Sequence, residues 1–117
     1  MFHPTFGLIG KGTISERHIK AIESIGGELV EVCDPITGRL KHSRDLFLYD
    51  FDYTVICSPS DLHYEHIKLA LKEGRKVIVE KPQQLPWQPI IDNDDINIVL
   101  QYNWLDKKIL PNPITEV

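Results

Sequence analysis

Five short stretches of the chain are apolar enough, and brief enough, to be buried strands: Thr5–Ile9, Leu29–Cys33, Tyr53–Cys57, Lys76–Glu80 and Ile96–Gln101. Their residues do not alternate strictly between apolar and polar, which is the pattern of strands covered on both faces. Between the first two, Ile14, His18, Ala21, Ile22 and Ile25 recur at helical spacing and predict a helix over Thr13–Ile25, stopped by Gly26-Gly27. Thr13 and Glu16 have the spacing of a capping box. A second helix, Leu62–Glu73, puts Ile67, Ala70 and Leu71 on one face, with Ser60 or Asp61 as its cap and Gly74 as its stop. Strand–helix–strand units of this length connect parallel strands through a right-handed crossover. The expected fold class is therefore α/β: a minimal Rossmann-type parallel sheet of about five strands, with helices on both faces, in a single domain.

The turn after the first strand carries the candidate chemistry. In Ile9-Gly10-Lys11-Gly12-Thr13-Ile14-Ser15, Gly10 and Gly12 are spaced as the first two glycines of the dinucleotide fingerprint, and Ser15 stands at the third. Gly10 permits the tight turn, and Gly12 leaves room for a pyrophosphate against the backbone. The helix N-terminus then attracts the anion. Asp34 closes the second strand 22 residues beyond Gly12, where NAD requires a carboxylate for its ribose hydroxyls. Asp34-Pro35 also suits the start of a turn. A carboxylate there repels the 2′-phosphate of NADP, which favours NAD. The segment Ile36–Arg44 is short and basic, and reads as a solvated turn unless Arg39 or Lys41 reaches the adenine side of a cofactor. Only a short helical piece fits around Leu40–Leu48.

Composition narrows the function classes. The chain has 117 residues, 42% hydrophobic and 26% charged, with a net charge of −4 and a pI near 5.7. That balance gives no nucleic-acid footprint, and no apolar run reaches the ~20 residues of a membrane span. No export signal is legible at the N-terminus, so a cytoplasmic location is expected. Cys33 and Cys57 sit in strands that would flank the first one, roughly 9–10 Å apart, too far for a disulfide. His63 and His66 could share a helix face, but no third metal ligand is placed beside them.

A second constellation lies at the carboxyl ends of the later strands, the edge where open α/β sheets bind ligands. It comprises Ser58-Pro59-Ser60-Asp61-Leu62-His63 and Glu80-Lys81-Pro82. Lys81 is either a surface lysine paired with Glu80 or, crowded by a cationic nicotinamide, an acid/base group of lowered pKa. His63 either makes a local hydrogen bond in the first helical turn or takes part in the chemistry.

F-G-L-I-G-K-G-T-I-S-E-R-H, V-C-D-P, V-I-C-S-P-S-D-L-H-Y-E-H-I and V-I-V-E-K-P occur in the order seen in the Gfo/Idh/MocA oxidoreductases. The resemblance spans about Phe6–Gln101. R-H-I-K-A-I, S-P-S-x-L-H-Y and I-V-L-Q most resemble the branch acting on UDP-N-acetylglucosaminuronate. It implies that Gly10, Gly12, Thr13 and Ile14 line the pyrophosphate and that Asp34 holds the ribose. Ser58, Pro59, Leu62 and His63 would border the nicotinamide half, with Glu80 and Lys81 beside the ring and Lys81 catalytic. Gln101 matches the glutamine that ends the last cofactor-domain strand.

Family members are considerably longer and carry a second domain with most substrate contacts and the usual catalytic histidine. The expectation here is a truncated dinucleotide-binding domain over 1–104, a tail over 105–117, and no substrate domain. The frequent arginine after the glutamine is replaced by Asn103. With the strand after Asp34 nearly gone, Leu29–Cys33 becomes a bare sheet edge, and Trp87, Tyr102 and Trp104 fall where a second domain would cover apolar surface. Exposed edges and patches call for covering, so a homo-oligomer, most simply a dimer, is expected. The implied activity is NAD-dependent hydride transfer on a sugar-like or sugar-nucleotide-like alcohol, with His63 or His66 standing in for the absent histidine. The competing readings are a cofactor-holding or docking module without turnover, and a relic without cofactor.

Overall fold

The computed structural model describes residues 3–80, 85–89, 91 and 93–99. The elements are β1 (Thr5–Ile9), α1 (Thr13–Ser24), β2 (Glu28–Cys33), α2 (Ser43–Leu46), β3 (Tyr53–Ile56), α3 (Ser60–Lys72), β4 (Lys76–Glu80) and β5 (Ile96–Val99). They form a five-stranded sheet in the order β2-β1-β3-β4-β5, with each neighbouring pair parallel. The order turns outward in both directions from β1 and β3, so a crevice opens at their carboxyl ends.

The strands feed two cores because successive side chains point to opposite faces. On one face Phe6, Leu8, Tyr53, Val55 and Ile78 meet Ala21 and Ile22 of α1. Phe6 pairs with Tyr53 across the strands, and their rings stack at 5.2 Å. On the other face Ile9, Ile56, Val77 and Val79 meet Leu46 of α2, Phe47 just after it, and Ile67 and Ala70 of α3. Each such side chain contributes about 1.5–3 kcal/mol by burial. Gly7 belongs to this second face, and the Phe51 ring fills its missing side chain: a Cβ would stand 2.5 Å from the ring. Helices therefore cover both faces, as the apolar pattern predicts.

Local boundaries differ in instructive ways. The Thr13–Glu16 capping box does not form, because Gly12 is the N-cap and no side chain caps the helix. Thr13 is already helical, so its hydroxyl stands one position too late. Likewise Ser60 opens α3 rather than capping it; Pro59, extended at ψ 151°, is the N-cap. The first helix stops where expected, at Gly26 in the left-handed region (φ 76°).

The segment after Asp34 retains one trace of a sixth strand. Leu40 makes a single parallel bridge to Cys33, with Asp34 N–H donating to the Leu40 carbonyl at 2.9 Å. Among the described residues β2 is otherwise an edge. Lys81, Pro82 and Gln101, together with Tyr102, Asn103 and Trp104, lie outside the described residues.

Candidate functional site

The site is built where β1 hands the chain to α1. Gly10 turns there with φ 93° and donates its N–H to the Cys33 carbonyl at 2.8 Å. A Cβ on Gly10 would stand 2.6 Å from the Ser58 nitrogen and 2.7 Å from the Cys57 carbonyl carbon. The loop therefore lies against the end of β3, and only glycine fits. Gly12 is the opposite case: its backbone is ordinary (φ −97°), and a Cβ there would meet no described residue within 4 Å. Packing among the described residues does not require that glycine. It leaves a space in front of the uncapped N-terminus of α1, which suits an approaching anion. Ser15, at the third fingerprint position, is buried, and its hydroxyl donates to the Gly12 carbonyl at 2.6 Å.

Asp34 faces this loop from the end of β2. Its Oδ2 accepts the Lys11 N–H at 2.7 Å, and its Oδ1 accepts the N–H groups of Ile36 (2.8 Å) and Thr37 (3.0 Å). These backbone bonds pull its pKa down to about 2, so the carboxylate is ionised at any neutral pH. Both sequence readings of Asp34 coexist: it starts a turn, and it reaches the glycine loop. The Thr37 side chain adds a fourth hydrogen bond, so the ~4 acceptor sites of the carboxylate are all engaged, and a ribose hydroxyl would take the place of one of these bonds. The folded-state pKa lies below the ordinary value, so the stabilisation is complete above pH 4 and is lost as pH falls towards 2. Acid titration of the Asp34→Asn variant should show a shallower loss of stability across that window; an unchanged slope would contradict it.

Two adjoining clefts flank Gly10, Asp34, Ser58 and Pro59. The first, about 390 Å³, is walled by Pro35, Ile36, Lys41, Leu62 and His66. The second, about 440 Å³, is walled by Gly12, Ile14, Ser60, His63 and Glu80. Both lie at the carboxyl edge of the sheet and share residues that follow β1, β2 and β3. Ile36 is 82% exposed and Leu62 41%, so both offer open apolar surface to the first cleft.

The structure thus brings together Gly10, Gly12, Ile14, Asp34, Ser58, Pro59, His63 and Glu80, and sorts the remaining candidates differently. Leu62 lies in the first cleft with His66, four residues on, whereas His63 lies in the second. That follows from helix geometry, since residues four apart share a face. Thr13 is exposed and lines neither cleft. Arg39 turns away from the first cleft to Glu31 and the Tyr49 hydroxyl at 2.6 Å. Lys41 remains, and its Nζ donates to the Ile36 carbonyl at 3.0 Å.

The two histidines converge on Ser58. His63, 5% exposed, places Nε2 2.9 Å from the Ser58 carbonyl oxygen. His66 places Nδ1 2.7 Å from the Ser58 hydroxyl. Burial, reinforced by His63, holds His66 below the usual histidine pKa. A further pair was not legible in the sequence: buried His18 of α1 has Nε2 3.1 Å from Oε1 of Glu80. Its nearest signal was a histidine among the apolar positions of α1. Cys33 and Cys57 are both free, although Cys57 is half-buried rather than fully buried; desolvation raises both thiols, Cys57 strongly. Among the described residues, no group of three His, Cys, Asp or Glu is placed to hold a metal ion. None of the described helices is long and apolar enough to cross a membrane.

Comparison with known proteins points to one family of oxidoreductases. Residues 5–94 match the model of an oxidoreductase family with an NAD-binding Rossmann fold, Gfo/Idh/MocA. The chain is 29% identical over 93 residues to inositol 2-dehydrogenase of Rhizobium meliloti, covering 68% of this chain and 28% of that protein. Its fold is similar to the WlbA dehydrogenase of Thermus thermophilus, solved with NAD and UDP-GlcNAcA (TM-score 0.65, 33% identity, 70% of this chain and 34% of that one). It is similar also to WlbA of Bordetella pertussis, solved with NADH and UDP-GlcNAcA (TM-score 0.63, 33% identity, 71% and 30%). The chain thus spans about a third or less of the length of these relatives. With its glycine loop, its acid at the end of β2 and its match over nearly all the described residues, the chain belongs to the Gfo/Idh/MocA oxidoreductase family, whose NAD-binding Rossmann fold it carries.

Proposed function

We propose that the chain binds NAD across the two clefts and serves an oxidoreductase acting on a secondary alcohol of a sugar or sugar nucleotide. The observation that carries this reading is the empty space at Gly12, in front of the N-terminus of α1 and opposite the ionised Asp34. Gly12 and Ile14 would hold the pyrophosphate through the backbone, with Gly10 shaping the turn beneath it and Thr13 at the helix start. Asp34 would accept a ribose hydroxyl in place of the Thr37 side chain. Pro35, Ile36 and Leu62 would cover the adenine, and Ser58, Pro59, His63 and Glu80 would wall the nicotinamide side; Gln101 is assigned by resemblance alone. NAD held there supplies the acceptor for the hydride that leaves the carbinol carbon. Lys81, directly after Glu80 in sequence, would take the hydroxyl proton as a neutral amine, leaving a ketone. His63, whose Nε2–H is committed to the Ser58 carbonyl, would hold the cleft wall in place while bordering the nicotinamide.

The substrate class is supported by the relatives, inositol and UDP-sugar dehydrogenases by name. The test is a turnover assay following reduced-cofactor absorbance over a panel of inositols and UDP-N-acetyl sugars. Lys81→Ala should lower turnover about 100-fold or more, the usual scale for a lost acid/base group, while NAD binding stays near wild type. Full turnover in that variant refutes the role. NAD binding with no turnover across the panel would favour a cofactor-holding module instead.

A second copy of the chain would complete the pocket. The support is that β2 is an edge strand bridged by Leu40 at Cys33 alone among the described residues, and that Leu48 and Trp87 are 84% and 76% exposed. Such edges and apolar side chains invite pairing. Light scattering at micromolar concentration should give the mass of two chains; a single-chain mass excludes the dimer.

A further inference from the structure

His18 is 1% exposed and has no part in the reading above. It stands on α1, within two turns of the glycine loop, and meets Glu80, 62 residues later, at 3.1 Å. Burial outweighs the attraction of the carboxylate and keeps the imidazole below its usual pKa. The geometry lets the ring donate Nε2–H to the carboxylate. Glu80 is the last residue of β4, forms part of the second cleft and immediately precedes Lys81. Its side chain remains 22% exposed, so one carboxylate oxygen is bonded inward while the group keeps an open side.

We propose that His18 is a positioning residue for the nicotinamide half of the site, fixing the Glu80 carboxylate at the wall of the second cleft. The inference rests on the NAD reading above. A glutamate without that bond retains its rotamers and carries its charge through the space where the ring would lie. With it, the helix that presents the glycine loop also holds the residue leading into Lys81. Pyrophosphate and nicotinamide walls are thereby kept in one register. A role confined to clamping α1 onto the sheet would affect every part of the ligand alike, and that difference can be measured.

The test compares NAD with ADP-ribose, which lacks the nicotinamide, by titration of the 117-residue wild-type chain, His18→Leu and His18→Gln. Glutamine places an amide N–H close to where Nε2–H stands. The leucine variant should lose about tenfold in NAD affinity, the scale of one hydrogen bond to a charged group, and stay within about twofold for ADP-ribose. The glutamine variant should recover most of the loss. Should the leucine variant not fold, ¹⁵N NMR of the wild-type ring provides the second readout: the His18 Nε2 signal should move with NAD and not with ADP-ribose. An equal loss for both ligands, a glutamine variant no better than leucine, or a ring signal indifferent to the nicotinamide overturns the proposal. A wild-type chain that binds neither ligand overturns the NAD reading itself, and the role of His18 with it.

Discussion

Replacing Gly10 by alanine is expected to cost about 2–6 kcal/mol of folding stability and to abolish NAD binding with it. Two independent penalties add. A residue with a Cβ held at φ 93° is strained by about 1–3 kcal/mol. The new methyl would also overlap the Ser58 nitrogen and the Cys57 carbonyl carbon, and overpacking of this kind costs about 1–3 kcal/mol. Those atoms cannot withdraw cheaply, because they are backbone and Cys57 N–H is bonded to the Ile9 carbonyl at 2.7 Å. Urea denaturation is the measurement. A midpoint equal to that of wild type would mean that the loop does not press on β3 as described.

Replacing Gly12 by alanine should do nearly the reverse. The backbone there is open to any residue, and the methyl would meet no described residue, so folding stability should change by less than about 1 kcal/mol. NAD affinity should fall about 100-fold or more, because the methyl takes the space through which a pyrophosphate reaches the backbone. Two glycines separated by one residue thus serve different ends, one architectural and one reserved for a ligand. A Gly12→Ala chain that folds and binds NAD as wild type does would remove the observation on which the functional reading stands.

Much of this was legible before any coordinates. The short apolar runs that become β1 to β4, and the spacing of Ala21, Ile22, Ile67 and Ala70, specify strands with both faces covered, which leaves few arrangements besides a parallel sheet. The glycine loop and Asp34 were legible for the same reason: each depends on a local backbone requirement written in a few adjacent residues. What escaped was long-range or one residue out of phase. Thr13 and Ser60 look like caps, but in both helices the preceding residue takes that place, since the turn before it fixes where the helix begins. The resemblance grouped Leu62 with His63 on the nicotinamide side, whereas their directions on α3 carry them into different clefts. Arg39 was a candidate for the adenine side until Glu31 and Tyr49 were found beside it. The His18–Glu80 bond joins residues 62 apart, and no periodicity signals a single side-chain contact of that range.

The central claim, that the two clefts and the ionised Asp34 hold NAD, is tested most directly by calorimetric titration of the purified chain with NAD and then with NADP. Micromolar binding of NAD, at least about tenfold weaker for NADP because its 2′-phosphate would meet the carboxylate, is the predicted result. Tighter binding of NADP, or no heat from either cofactor, would contradict it.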